Sequence, residues 1–271
     1  MSFYTSLNGL KNAQTDLGTI AHNIANAETI GFKKSNTRFA DLVAGGQQTD
    51  PRQIKGIGST VSGIIQNFGL GAIDQTGNAT DLAITGDGFF TTRHEESGRT
   101  LFTRNGNFEI DGQGYLQDGG GNRLQMFGLD AAGEPDIAAG ELDARIPDLN
   151  AAGSELAGVT IERDGTINAA YADGTVDPVG RIAMATFIAP TSLRQTGESK
   201  WEATGGSGAP ALGVPGMGRY GSILSGALES SNVDLAEEMV GLITAQRYFQ
   251  ANAKAIDTAT QLSQTIINLR S

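Results

Sequence analysis

Cysteine is absent from this 271-residue chain, which excludes disulfides and thiolate metal sites. Histidine is almost absent. His22 and His94 stand far apart with no paired ligand spacing around either, so no metal or cofactor site is expected. Positive charge is scarce as well: 19 basic residues face 30 acidic ones, and the formal net charge of -11 opposes binding to DNA, RNA or an anionic membrane face. Long apolar runs are missing. No stretch approaches the roughly 18 apolar residues of a membrane-spanning helix. The first residues show no basic region followed by a continuous apolar run, so no cleaved signal peptide is expected, and the default reading is a soluble, cytoplasmic chain.

What the chain does have is a supply of 39% hydrophobic residues and 38 glycines without a G-X-Y period, which points to tight turns between strands. Its two ends carry a seven-residue apolar spacing: Phe3, Leu10, Leu17 and Ile24 at the start, then Leu228, Leu235, Leu242, Phe249 and Ile256 near the end. Such a spacing is the seam of a helix that packs along other long helices. The first helix is predicted over residues 3 to about 28, closed by a left-handed Gly31. The last is predicted from Asp234 to about Leu269, opened by a capping box in which Asp234 accepts an amide and Glu237 reaches back. The faces bearing Ala13, Gln14, Ala21, Ala245, Ala253 and Ala259 are small or neutral enough for further helices to approach.

Between the ends the period falls to two. Val61–Phe68, Leu82–Thr85, Phe89–Arg93 and Leu101–Arg104 read as short strands, with turns at Glu95–Gly98 and Asp111–Gly114 and an apolar central strand over Arg181–Ala189. The expected fold is therefore α+β: long N- and C-terminal helices forming a coiled coil, with a central antiparallel β domain. The expected division is a helical domain of 1–32 with 227–271, an extended linker over 33–68, a β domain of 69–126 with 155–226, and a short outer excursion at 127–154.

Chemistry finds little support. Gly216-Met217-Gly218-Arg219-Tyr220-Gly221 matches the dinucleotide-binding spacing, but Pro210 and Pro215 precede it and no helix opens on it. Asp111-Gly112-Gln113-Gly114 and Asp118-Gly119-Gly120-Gly121-Asn122 lack the spacing of a calcium loop and carry the residues that turns select. Gly205-Gly206-Ser207-Gly208-Ala209 has no strand-to-helix context for a nucleophile. No enzyme activity is expected.

Four motifs are recognisable together. Asn23-Ile24-Ala25-Asn26-Ala27-Glu28-Thr29-Ile30-Gly31-Phe32-Lys33, Asp81 to Phe90, Thr103 to Phe108 with Asp111, Gly114 and Leu116, and Gly226 to Glu229 through Asn232 and Asp234 to Arg247 resemble those of bacterial flagellar rod and hook axial proteins, in the same order. Within that family Phe39-Ala40-Asp41-Leu42, Leu193-Arg194, Trp201 and Asn268-Leu269-Arg270 are most similar to hook subunits. The chain's length, Ser207-Gly208-Ala209-Pro210 and Pro215-Gly216 are similar to distal rod subunits, which is the alternative. A secreted Gly-rich β-structured hydrolase or adhesin is a further alternative, opposed by the missing repeat.

The resemblance implies a structural subunit of the hook, a helical homopolymer that carries torque from rod to filament. Its partners would be itself and the rod, hook cap and hook–filament junction proteins, with no nucleic acid and no small-molecule substrate. The terminal helices would line the export channel as a coiled coil. The subunit would be exported by the flagellar type III system without a cleaved signal and would reside outside the cell, which replaces the cytoplasmic default. Asn23, Asn26, Gly31, Phe32, Lys33, Asn232 and Asp234 are the motif positions, and the two apolar seams are the expected packing surfaces.

Overall fold

The computed structural model describes residues 2–44, 55–130 and 133–268. The chain divides into two compact units: residues 1–27, 34–67 and 233–271 form one, and residues 28–33 with 68–232 form the other. Among the described residues no helix is long and apolar enough to cross a membrane.

The first unit is helical with a β ribbon. Helix α1 spans Ser2–Ala25 and helix α2 spans Leu235–Asn268, about 36 Å and about 51 Å long at 1.5 Å per residue. They run antiparallel in one constant register, with Gly9 against Asn252, Ile20 against Gly241 and Asn23 bonded to Glu238. Gly9 permits this approach, because a Cβ there would come 2.5 Å from Asn252 Oδ1. In that register the start of α1 falls opposite about Ala259, and residues 260–268 run on past it with Leu262 exposed.

Strands β1 (Ser35–Ala44) and β2 (Lys55–Gln66) pair antiparallel, with bulges at Arg38/Phe39 and Leu42/Val43. The ribbon lies along α1, where Asn12 Nδ2 donates to Ser59 Oγ at 2.8 Å. The stretch expected to be an extended linker, 33–68, is thus a paired ribbon over Ser35–Ala44 and Lys55–Gln66, and its outermost residues, Lys33 and Phe68, belong to the β unit. Its least periodic part, residues 45–54, lies outside the described residues.

The second unit is antiparallel β. A thirteen-stranded sheet runs, in spatial order, through Leu156–Ile161, Thr166–Tyr171, Val176–Ile182, Asn122–Phe127, Phe89–His94, Thr100–Thr103, Lys200–Glu202 and Arg194–Gly197, with the remaining strands off this path. Side chains alternate across a strand, so adjacent Phe89 and Phe90 enter different cores. Phe90 joins Leu82, Ile84, Phe108, Leu116 and Leu124, whereas Phe89 joins Phe102, Phe187 and Trp201.

Several expectations shift here. Helix α1 stops at Ala25, where Asn26 Nδ2 donates to the His22 carbonyl at 2.9 Å, six residues short of the glycine expected to close it. Residues 28–32 and 227–232, placed with the helical ends by sequence, belong to the β unit. Leu228, expected as the first residue of the C-terminal seam, sits in strand Ala227–Glu229 paired with Ile73–Gln75. The apolar run at 181–189 is buried from Ile182 to Phe187, as a central strand should be, but Ile188 is exposed and the run breaks at Ala183. Its two parts, Val176–Ile182 and Met184–Thr186, pair with different neighbours. The excursion at 127–154 is not wholly external: Glu141–Asp143 pairs with Asn122–Phe127, and Ala144 and Ile146 enter the larger core.

Candidate functional site: a buried charge cluster and a helix seam

Lys33, Arg104 and Glu229 meet inside the β unit, and all three side chains are almost completely buried. Lys33 Nζ pairs with Glu229 Oε1 and donates to the Gly69 carbonyl at 2.8 Å. Arg104 Nη1 pairs with Glu229 Oε2 at 3.2 Å, and its Nη2 donates to the Gly86 carbonyl at 2.9 Å. Glu229 Oε1 also accepts from the Gly71 amide at 2.9 Å. Two cations therefore share one carboxylate, and the Gly69 and Gly86 carbonyls each take one further donor, while Arg104 Nε has no partner among the described residues. Burial pushes both Lys33 and Arg104 below their ordinary pKa ranges, and the charge of Glu229 opposes the shift in each.

The cluster fastens the places where the chain enters and leaves this unit. The passages fall at 27/28, 33/34, 67/68 and 232/233. Lys33 precedes one, Gly69 follows another, and Asn232, whose Nδ2 donates to the Gly69 carbonyl at 3.1 Å, ends the unit. Gly31 is held with them, its amide donating to the Glu229 carbonyl at 2.7 Å. It sits at φ 66° against the Arg104–Asn105 backbone, where a Cβ would meet Asn105 N at 2.5 Å. That close approach, rather than helix closure, is what requires glycine. Phe32 beside it is buried.

In the helical unit Asn23 is the counterpart. Its Oδ1 accepts from Ser35 N at 2.9 Å and its Nδ2 donates to Ser35 O at 2.9 Å, so one side chain completes the first backbone pair of β1. The same Nδ2 reaches Glu238 Oε2 on α2 at 3.1 Å, joining α1, ribbon and α2. Asp234 caps α2 as expected: its Oδ1 accepts from the amides of Ala236 at 2.8 Å and Glu237 at 3.1 Å. Glu237 does not complete the box but pairs with Lys34 at 2.9 Å.

The seams are partly used within the chain. On α2, Glu238, Leu242, Ala245, Phe249, Asn252, Ile256 and Ala259 are buried or half-buried at alternating spacings of four and three. Three of the expected seam residues lie on this line, while Leu235 is exposed. On α1, Leu10, Leu17 and Ile24 are half-buried, Phe3 is exposed, and the fully buried side chains are Ala13, Thr19 and Asn23. Ala13 and Ala245, expected on open faces, are covered by the chain itself.

The open apolar surface lies elsewhere on α2. Leu235, Met239 and Ile243 form an i, i+4, i+8 row, with Val240 beside it, and all are exposed. That row was present in the sequence but overshadowed by the seven-residue spacing. Arg104 and Glu229 fell inside quoted motifs, yet nothing local marks them as partners across 125 residues.

No group of three or more metal-ligating side chains occurs among the described residues. Asp111 and Asp118 do turn work: Asp111 Oδ1 accepts from Gln113 N and Tyr115 N at 2.8 Å, and Asp118 Oδ1 accepts from Gly120 N at 2.9 Å.

Three family models match the chain. The model described as flagella basal body rod protein matches residues 3–33, the flagellar hook protein FlgE/F/G D1 domain matches 83–169, and the flagellar basal body rod FlgEFG protein C-terminal region matches 224–269. Each contains one member of the buried charge cluster. The chain is 36% identical to the flagellar basal-body rod protein FlgG of Bacillus subtilis over 282 residues, covering 99% of this chain and 98% of that one. It is 33% identical to the FlgG of Caulobacter vibrioides over 281 residues, covering 98% of each. It is 25% identical to the flagellar hook protein FlgE of Escherichia coli over 412 residues, covering 100% of each.

Proposed function

The chain belongs to the family of flagellar rod and hook axial proteins, and we propose on that premise that it is a structural subunit seated in the distal rod. The family is structural rather than enzymatic, and its members polymerise with one another in the flagellar axis. A structural role in the hook fits the same family. The observation that carries the rod seat is colinearity: relatives named as rod proteins align end to end over 281 to 282 residues, whereas the hook relative needs 412 aligned positions to accommodate this chain. The hook seat is the second reading, supported by the motifs at Phe39–Leu42 and Leu193-Arg194 with Trp201.

In either seat the terminal helices form the coiled-coil inner tube, and the β unit with its outer excursion forms the wall. The exposed row on α2 supports this, as does the outward ribbon face with Phe39, Val43, Ile57 and Ile64. These are surfaces that monomers usually cover. The packing seam is Leu10, Leu17, Ile24, Leu242, Phe249 and Ile256 within a subunit, with Phe3 and Leu235 meeting neighbours. The partners are further copies, the rod, and the hook cap and hook–filament junction proteins. Export proceeds through the flagellar type III system without a cleaved signal, to a place outside the cytoplasm.

Basal bodies isolated from a deletion strain test the seat. A rod that stops short indicates the distal rod, a complete rod without a hook indicates the hook, and normal flagella would overturn both.

A further inference from the structure

We propose that a cleft in the β unit, walled by Phe68, Phe89 and Phe187 and edged by Arg104, Thr186 and Arg219, receives an acidic side chain from a second copy of this chain. The proposal rests on the axial reading, because it supposes copies side by side in a polymer. The cleft has a volume of about 200 Å³ and opens to solvent. Its walls are rigid. Phe68 and Phe89 lie edge to face at 5.4 Å, and both rest on Trp201, which is fully buried behind them.

Two polar atoms on the lining of this cleft lack partners among the described residues. Arg104 Nε and Thr186 Oγ1 are buried and make no hydrogen bond among the described residues. Arg219, exposed at the edge, has no ion pair among the described residues. Asp87, the acid on the lining, forms no ion pair among them either. One open guanidinium, that of Arg219, together with Arg104 Nε and a hydroxyl beside aromatic walls, suits a carboxylate carried on an apolar stem.

The chain itself supplies that chemistry in quantity. Residues 130–177 hold eleven acidic side chains, from Asp130 to Asp177, against two basic ones, Arg145 and Arg163. Most of the net charge of -11 therefore comes from one part of the β unit. Its exposed apolar side chains stand next to acids: Ile137 follows Asp136, Leu142 precedes Asp143, Leu149 follows Asp148 and Val176 precedes Asp177. An acid beside an apolar side chain is the complement of the cleft. Docking it would also relieve the repulsion between acidic copies.

The test places the photo-crosslinking residue benzoylphenylalanine at Met217, which is exposed two residues from Arg219, in full-length chain assembled in the flagellar axis. The expected product has twice the mass of the chain, joined to a peptide within 130–177. R219E should lower its yield roughly tenfold through like-charge opposition, and lysine substitutions at Asp136, Asp148 and Asp177 in the second copy should restore it. A product joined elsewhere, a product with a different protein, or a yield unchanged by R219E would overturn the proposal. Electron microscopy of the same preparation separates the two claims. Assembled axes without the 130–177 product overturn the docking alone, and a chain absent from the axis overturns the axial reading with it.

Discussion

The two units bury their apolar residues in opposite ways. The β unit closes on itself: Leu82, Ile84, Phe90, Leu116, Leu124, Phe127 and Trp201 are fully covered by neighbours from the same unit. The helical unit covers Ala13 and Ala245 but leaves Tyr4, Met239, Val240, Tyr248 and Leu262 more than half exposed. Helices gain most of their stability from packing an apolar face. The β unit therefore closes its main cores when the chain has folded, whereas the helical unit leaves an apolar row on α2 open. Each unit also has a buried polar fastener, a charge cluster in the β unit and an asparagine in the helical unit.

That contrast can be broken most sharply at Glu229. Glu229→Gln leaves two buried cations without their carboxylate and should cost about 3–5 kcal/mol, read as a loss of thermal stability and of amide protection in the β unit. Protection in the helical unit should change far less; if both units lose it together, they are not separate folding bodies. Asn23→Ala strips both polar groups of Ser35 and one from Glu238, and should cost about 2–3 kcal/mol in the helical unit alone. Hydrogen exchange at the start of β1 should report it.

Asp234→Ala removes a cap and should cost about 1 kcal/mol, read as fraying of the first turn of α2 by circular dichroism. The smallest effect concerns acid. Hydrogen bonds from Arg194 and then Arg99 hold Glu202 below the ordinary carboxylate range. Its contribution to the β unit is present above that range and is lost as pH falls through the lowered value. Glu202→Gln should slightly flatten the acid-induced loss of stability, an effect that high salt should mask because the group is exposed.

How much could be read in advance followed the range of the interactions involved. Strand Leu82–Thr85, the turn at Glu95–Gly98, the asparagine and aspartate turns and the Asp234 cap rest on residues a few positions apart, and local pattern revealed them. The α+β plan and both terminal helices were legible for the same reason. Leu228 shows where the pattern misleads. Its seven-residue spacing from Leu235 is real, but Gly226 at φ 75° and pairing with Ile73–Gln75 draw it into a strand, and the helix cannot begin before its cap at Asp234. Lys33, Arg104 and Glu229 left no periodic trace at all, since charge pairing across 196 residues is settled by the topology. Glu237 had a local partner available and took Lys34 instead, which no local rule weighs.

The antiparallel register of α1 and α2 has a practical corollary. Ser2 lies opposite about Ala259, with Asn268 a short way beyond, so both described extremities of the chain sit at the same end of the helical unit. A fusion tag before Ser2 and one after Asn268 would crowd the same neighbour. Moving a label from one terminus to the other would therefore not rescue a subunit that the first label had excluded, whereas Ile188, exposed in the β unit of a chain without a native thiol, offers a single cysteine address in the other unit.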